Sequence, residues 1–194
     1  MPSAGGPAQT DLRREIKDER QIGFKVSHHL GFQLHDPFGP DTAACTLTPQ
    51  GTVSSPANVQ YIWPHANRTF LYVASTDSGS GMAGGGANHH VTAYRIDPAT
   101  GALSQHGAPI SLPTRPIHMA TDIPSKHILV AFNNPPAIRV FRINPDGTPG
   151  AEIPQSPSID PGVFPHQVLA TPDQKQVILV ARGFDATKIG RAHV

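Results

Sequence analysis

Two histidines are the residues best placed to do chemistry. They occur in similar short segments: Arg115-Pro116-Ile117-His118-Met119 and Phe164-Pro165-His166-Gln167-Val168. The histidines lie 48 residues apart. Imidazole moves protons near neutral pH, so a histidine held beside a bound molecule can serve as general acid or base. Arg182 follows a third segment of related type. A guanidinium there can hold an anion or a developing oxyanion. A group that can move protons and a donor that can hold negative charge are what these segments could supply. Plainer roles exist for all three. Each histidine can bond its nitrogens to backbone at a strand end. Arg182 can be solvated or paired with Asp185.

Other signals point to less. The chain has eleven histidines. His89 and His90 are adjacent, so on a strand they point to opposite faces. No H-x-x-x-H or H-E-x-x-H pair occurs, and no metal or other cofactor is expected. The run Ser78-Gly79-Ser80-Gly81-Met82-Ala83-Gly84-Gly85-Gly86 would cradle phosphate only if a helix followed. A strand pattern at Val91 follows, which makes the run a hairpin loop.

The elements that carry these residues repeat. Arg68-Thr69-Phe70-Leu71-Tyr72-Val73-Ala74 is answered by His127-Ile128-Leu129-Val130-Ala131 and by Gln176-Val177-Ile178-Leu179-Val180-Ala181. The Val-Ala pairs step by 57 and 50 residues. A second phrase, Tyr94-Arg95-Ile96-Asp97-Pro98, returns as Phe141-Arg142-Ile143-Asn144-Pro145 after 47 residues. Each copy has a lead-in, a Pro/Asp/Asn turn, a short apolar run and an alternating strand. In the strand from Val91 to Ile96, Val91, Ala93 and Arg95 should face one way and Thr92, Tyr94 and Ile96 the other. A weak outer strand is expected near Leu103-Ser104-Gln105. Three or four antiparallel strands per ~50 residues make one propeller blade. The fold class is therefore all-β, a partial β-propeller with about two and a half to three blades.

Composition agrees. Among 194 residues, 21 are Pro and 18 are Gly, and 15% are charged. That is rich in turns and poor in helix formers. A net charge of +1 gives no case for nucleic acid. No long apolar run suits a membrane span. One cysteine, Cys45, fits a reducing compartment, so a cytoplasmic location is expected. Residues 1–42 lack the repeat, although residues 12–20 are charge-dense enough for a short solvated helix. They are expected to be a disordered or non-native extension. Residues 43–188 are assigned to blades, with residues 46–53 as the outer end of a preceding one. Residues 189–194 lack strand alternation and back-translate to adapter-like DNA, so they are expected to be non-native.

Five stretches, in order, carry a resemblance. They are Asn58-Val59-Gln60-Tyr61, then the run from His90 through Asp97-Pro98-Ala99-Thr100-Gly101 to Leu103, then Pro116-Ile117-His118-Met119-Ala120-Thr121-Asp122. Pro165-His166-Gln167-Val168 and Arg182-Gly183-Phe184-Asp185-Ala186-Thr187 follow. Together they resemble the β-propeller lactonase family. This seven-bladed group holds bacterial 6-phosphogluconolactonase and fungal 3-carboxy-cis,cis-muconate lactonizing enzyme. The resemblance implies hydrolysis or formation of a sugar-acid or muconate lactone, without metal in most members. His166 is similar to the family histidine that opens a blade strand, faces the central cavity and acts in acid–base chemistry. His118 is similar to the cavity-lining histidine one blade earlier. The family's Arg and Glu belong to the blade after the last one here.

The expected function is hydrolysis of an anionic sugar lactone such as 6-phosphogluconolactone, with a small-molecule lactone as the only partner. The full-length protein is expected to be monomeric, and these 194 residues alone inactive and prone to aggregate. A non-catalytic binding propeller and a muconate-type cycloisomerase are the alternatives.

Overall fold

The computed structural model describes residues 33–35, 39–41, 43, 45–48, 51–78, 86–156 and 159–183. The charge-dense segment at 12–20, most of the glycine-rich run, Phe184 to Thr187 and the tail at 189–194 lie outside the described residues. The described residues form fourteen strands and no helix.

Two four-stranded antiparallel meanders make the body. The first blade is β5 (Asn58–Pro64), β6 (Phe70–Thr76), β7 (His89–Ile96) and β8 (Leu103–Ser111), paired in that order. The second is β9 (His118–Thr121), β10 (His127–Asn133), β11 (Pro136–Ile143) and β12 (Pro149–Glu152). A third sheet pairs β13 (Pro165–Ala170) with β14 (Val177–Ala181). Ahead of them, β1 (Gln33–His35) pairs with β4 (Thr52–Ser54), and β2 (Gly39–Asp41) with β3 (Thr46–Thr48). Gln33 opposes Ser54 and Gly39 opposes Thr48, so both pairs keep one register, as the arms of one hairpin do. Strand structure thus begins inside residues 1–42, ahead of the boundary at 43 expected from the repeat.

The repeated apolar phrases have a simple cause. β6 and β10 are second strands, covered on both faces, so neither face needs a polar residue. Leu71 and Val73 pack with Tyr94, Leu103 and Val53 on one side of the first blade. Tyr72 and Ala74 meet Ile128, Val130 and Phe132 of the second blade on the other. Leu129 and Ala131 then meet Val168 and Leu179 of the third sheet. The expected alternation in β7 is present: Val91 and Ala93 belong to the core between blades, while Tyr94 and Ile96 face the hairpin side.

Step length needs correction by one residue. The turn after each first strand is closed by the same bond: His65 N–H to Phe70 O, Asp122 N–H to His127 O, and Thr171 N–H to Gln176 O. Each turn holds a non-glycine residue in the left-handed region, at Arg68 (φ 59), Ser125 (φ 52) and Gln174 (φ 59). These steps are 57 and 49, not 57 and 50. Leu179, not Val180, therefore corresponds to Val130, and both face the preceding blade. One residue of slip reverses every face of a strand, so the matching letters Ile-Leu-Val-Ala mislead in the third copy.

The outer strand β8 also runs longer than its expected three residues. It spans nine, with a register break opposite Val91 and Ala93.

Adjacent sheets are latched by tyrosines. Tyr72 donates its buried hydroxyl to Gly147 O at 3.0 Å, across the blade boundary. Burial, then the Asp146 carboxylate, pushes this phenol well above its usual range, which keeps it a donor. Gly147 sits at φ +88 with its Cα against the Phe70 ring, so no side chain fits there. Tyr94 donates to Ser54 O at 2.8 Å, fixing the hairpin to the first blade. Tyr72→Phe should cost about 1–2 kcal/mol, because a buried carbonyl loses its donor. Urea unfolding checks this, and unchanged stability would mean the latch is replaced by other contacts.

Candidate functional site

The first strands β5, β9 and β13 lie side by side, and their starting portions meet: the Tyr61 ring packs on His118, and the Val168 N–H reaches the His118 ring. These portions pair with the exits of β6, β10 and β14. Sequence-predicted His118, His166 and Arg182 all fall there. His118 opens β9 opposite Ala131. His166 lies in β13 next to Pro165, which opposes Ala181. Arg182 follows β14, its N–H bonded to Phe164 O at 3.1 Å. Its expected alternative partner, Asp185, lies outside the described residues.

The two histidines are not equivalent positions. Met119 opposes Val130, and Val168 opposes Leu179. His118 therefore corresponds to Gln167, and His166 falls one residue earlier. The register of β13 breaks between Pro165 and Gln167, which makes His166 the extra residue of a β-bulge. A bulge releases its residue from ladder alternation and re-aims the side chain. His166 is exposed there, while Pro165 before it is buried. Phe164 has φ 54, an uncommon conformation for a bulky residue. Such strain gathers where a neighbouring group must be held in an unusual direction.

His118 has the opposite environment. It is 4% exposed. Its ring lies 4.1 Å from that of Tyr61 and 6.3 Å from that of Trp63, centroid to centroid. Nδ1 accepts the Val168 N–H at 3.4 Å, which places the neutral ring's proton on Nε2. Nε2 is buried without a hydrogen-bond partner among the described residues. Burial lowers the His118 pKa to about 4, helped by the nearby His166 charge. His118 is thus neutral at neutral pH, and close enough to His166 to feel its charge. The site therefore holds one neutral buried imidazole and one exposed imidazole, from neighbouring first strands.

Two further residues at this end were not singled out from sequence. Gln60 occupies a bulge in β5, between Val59 and Tyr61. This corresponds to the place of His166 in β13. Arg115 donates to Gln60 Oε1 from Nε at 3.0 Å and from Nη2 at 2.9 Å. The available signal was positional: Gln60 and Arg115 both stand in lead-in segments.

His89 accompanies Thr76 instead, with Oγ1 and Nδ1 2.6 Å apart. No group of three or more His, Cys, Asp or Glu residues suited to a metal occurs among the described residues. No helix among them is long and apolar enough to cross a membrane.

Antiparallel four-stranded blades with adjacent first strands define a β-propeller. The family model for lactonases with a seven-bladed β-propeller matches residues 36–189, and the chain belongs to this family. No curated protein matches the sequence. Among solved structures, the periplasmic gluconolactonase PpgL of Pseudomonas aeruginosa is similar at 21% identity. Its TM-score is 0.61, over 76% of this chain and 43% of that one. A Lactobacillus plantarum protein is similar at 16% identity and TM-score 0.62, over 84% and 48%. A candidate 6-phosphogluconolactonase of Bacteroides fragilis is similar at 22% identity and TM-score 0.60, over 84% and 45%. These likenesses are of fold. The chain spans under half the length of each of the three.

Proposed function

We propose that the full-length protein hydrolyses an anionic sugar lactone, 6-phosphogluconolactone being the leading candidate. The observation that carries this reading is the exposed His166 on its bulge beside the neutral, buried His118. His166 takes a proton from water as the water oxygen bonds to the lactone carbonyl carbon. The ring C–O bond then breaks, and His166 returns the proton to the leaving oxygen. One base thus serves both half-steps, and the products are those of simple ester hydrolysis. His118 lines the substrate side of the same strand ends, and Arg182 attracts the substrate's negative charge. The family membership and the two gluconolactonase-type neighbours support this class of substrate.

The test is a proton-release assay on the full-length protein with 6-phosphogluconolactone and with glucono-1,5-lactone. Both open spontaneously, so the rate above background is the readout. Acceleration of the phosphorylated lactone by several orders of magnitude is expected. Background rates with both lactones would leave a non-catalytic binding propeller as the better account.

A further inference from the structure

We propose that Ser75, His90 and Thr92 hold an internal water molecule, in a binding site on the face that the first blade turns towards the β1–β4 hairpin.

The repeat supplies the comparison. Counted from the left-handed turn residues Arg68, Ser125 and Gln174, Ser75 of β6 corresponds to Phe132 of β10 and Ala181 of β14. Phe132 and Ala181 are buried and apolar. Ser75 is as deeply buried but carries a hydroxyl. Its cross-strand partner differs in the same way. Ser75 opposes His90, where Phe132 opposes Ala137. The first blade thus sets a hydroxyl and an imidazole where the second sets two apolar side chains. Polar groups in an interior are unfavourable unless they are hydrogen-bonded.

The protein does not supply those bonds. Ser75 Oγ, His90 Nδ1 and Thr92 Oγ1 are buried atoms without a hydrogen-bond partner among the described residues. They share one face. Ser75 and His90 are directly opposed, and Thr92 lies two residues beyond His90 on the same side of β7. Opposed side chains stand about 5 Å apart at Cβ, a span that one bridging oxygen can join. Tyr94 continues the row and donates to Ser54 O at 2.8 Å. Ser55, whose hydroxyl lies close to that of Tyr94, is likewise buried without a partner of bonding geometry. The boundaries further along the chain are lined instead by apolar side chains, Tyr72 to Phe132 between the blades and Leu129 to Leu179 beyond.

The chemistry of the groups selects the occupant. They are hydroxyls and one imidazole nitrogen, with no carboxylate, ammonium or guanidinium among them. A charged ligand finds no counter-charge there. Water both donates and accepts, and a buried water typically makes about three bonds to groups left unsatisfied by the protein. Ser75, His90 and Thr92 offer three.

Removing one hydroxyl at a time tests the site in the full-length protein. Thr92→Val keeps the shape of the side chain, and Ser75→Ala removes one oxygen. In a dry boundary either change deletes an unbonded buried hydroxyl and raises Tm. With water bound, either change strips that water of a partner and should lower Tm by about 2–6 °C. The double variant should lose less than the sum of the two, because both losses fall on one molecule. An unchanged or raised Tm in either single variant, or additive losses in the double, overturns the proposal. A high-resolution crystal structure of the wild type tests it independently of how the variants fold. It should show a water oxygen within about 3.2 Å of Ser75 Oγ, His90 Nδ1 and Thr92 Oγ1. Direct apolar contact around these atoms, with no water between them, would overturn it.

Discussion

His166→Ala in the full-length protein is expected to lower turnover by ~10²–10⁴-fold, the range that loss of a positioned acid–base group produces. KM should change little, because the imidazole acts on water and the leaving oxygen rather than anchoring the substrate. The structure makes this a clean experiment. His166 is exposed and is the unpaired residue of a bulge. Removing its ring opens no core cavity, and exposed substitutions of this kind usually alter stability by no more than ~0.5 kcal/mol. A fall in turnover would therefore report chemistry, not unfolding. His166→Gln separates two roles of the ring. It keeps a hydrogen-bonding group but cannot transfer protons, so it should be nearly as impaired as alanine. Turnover unchanged in both variants would remove His166 from the mechanism. A large loss in alanine with recovery in glutamine would make it a hydrogen-bonding residue only.

Why these side chains and not others became visible from sequence follows from how the fold is built. Strands covered on both faces must be apolar throughout, so Leu71 to Ala74 and Ile128 to Ala131 announced themselves as continuous runs. Turns closed by one bond need Pro, Asp or Asn at set places, so the boundaries of β6, β10 and β14 were legible too. β8 was not, because only Leu103 along it is buried and its register break interrupts any alternation. The same cause hid the true repeat step. In the third copy the apolar letters slide by one relative to the turn, and only the left-handed residue at Gln174 marks the frame. At the site, the histidines were found because their residue type speaks for itself. Their one-residue offset is invisible in the letters, because a bulge has no sequence signature as strong as its geometric effect. Gln60 and Arg115 are 55 residues apart and meet between blades, so no local pattern joins them. What could be read was the kind of segment that supplies site residues. Which of its residues leaves the ladder was decided by pairing.

His118 should make the protein acid-labile in a defined window. Its folded pKa of about 4 lies below the ~6.5 of an unfolded histidine. Between these values the unfolded chain binds a proton that the folded chain refuses, so protonation favours unfolding. The contribution is absent above about pH 6.5, grows as pH falls, and levels off below about pH 4. Its full size is on the order of 3 kcal/mol, from roughly 2.5 pKa units of difference. The cause is physical and local. The ring is enclosed between Tyr61 and the start of β13, its Nδ1 is occupied by the Val168 N–H, and a charge there would lie beside His166. His118→Asn offers an oxygen to the Val168 N–H near the place of Nδ1 but cannot ionise. Urea unfolding at pH 7 and pH 4.5 should show the wild type losing more stability than the variant, by about 2–3 kcal/mol. Direct titration of the His118 ring protons by NMR fixes the midpoint independently. A midpoint near 6.5, with no difference between the two proteins' acid sensitivity, would mean the ring is hydrated. Without a neutral His118, the pairing of one uncharged imidazole with one exposed base would fail, and the proposed division of labour with it.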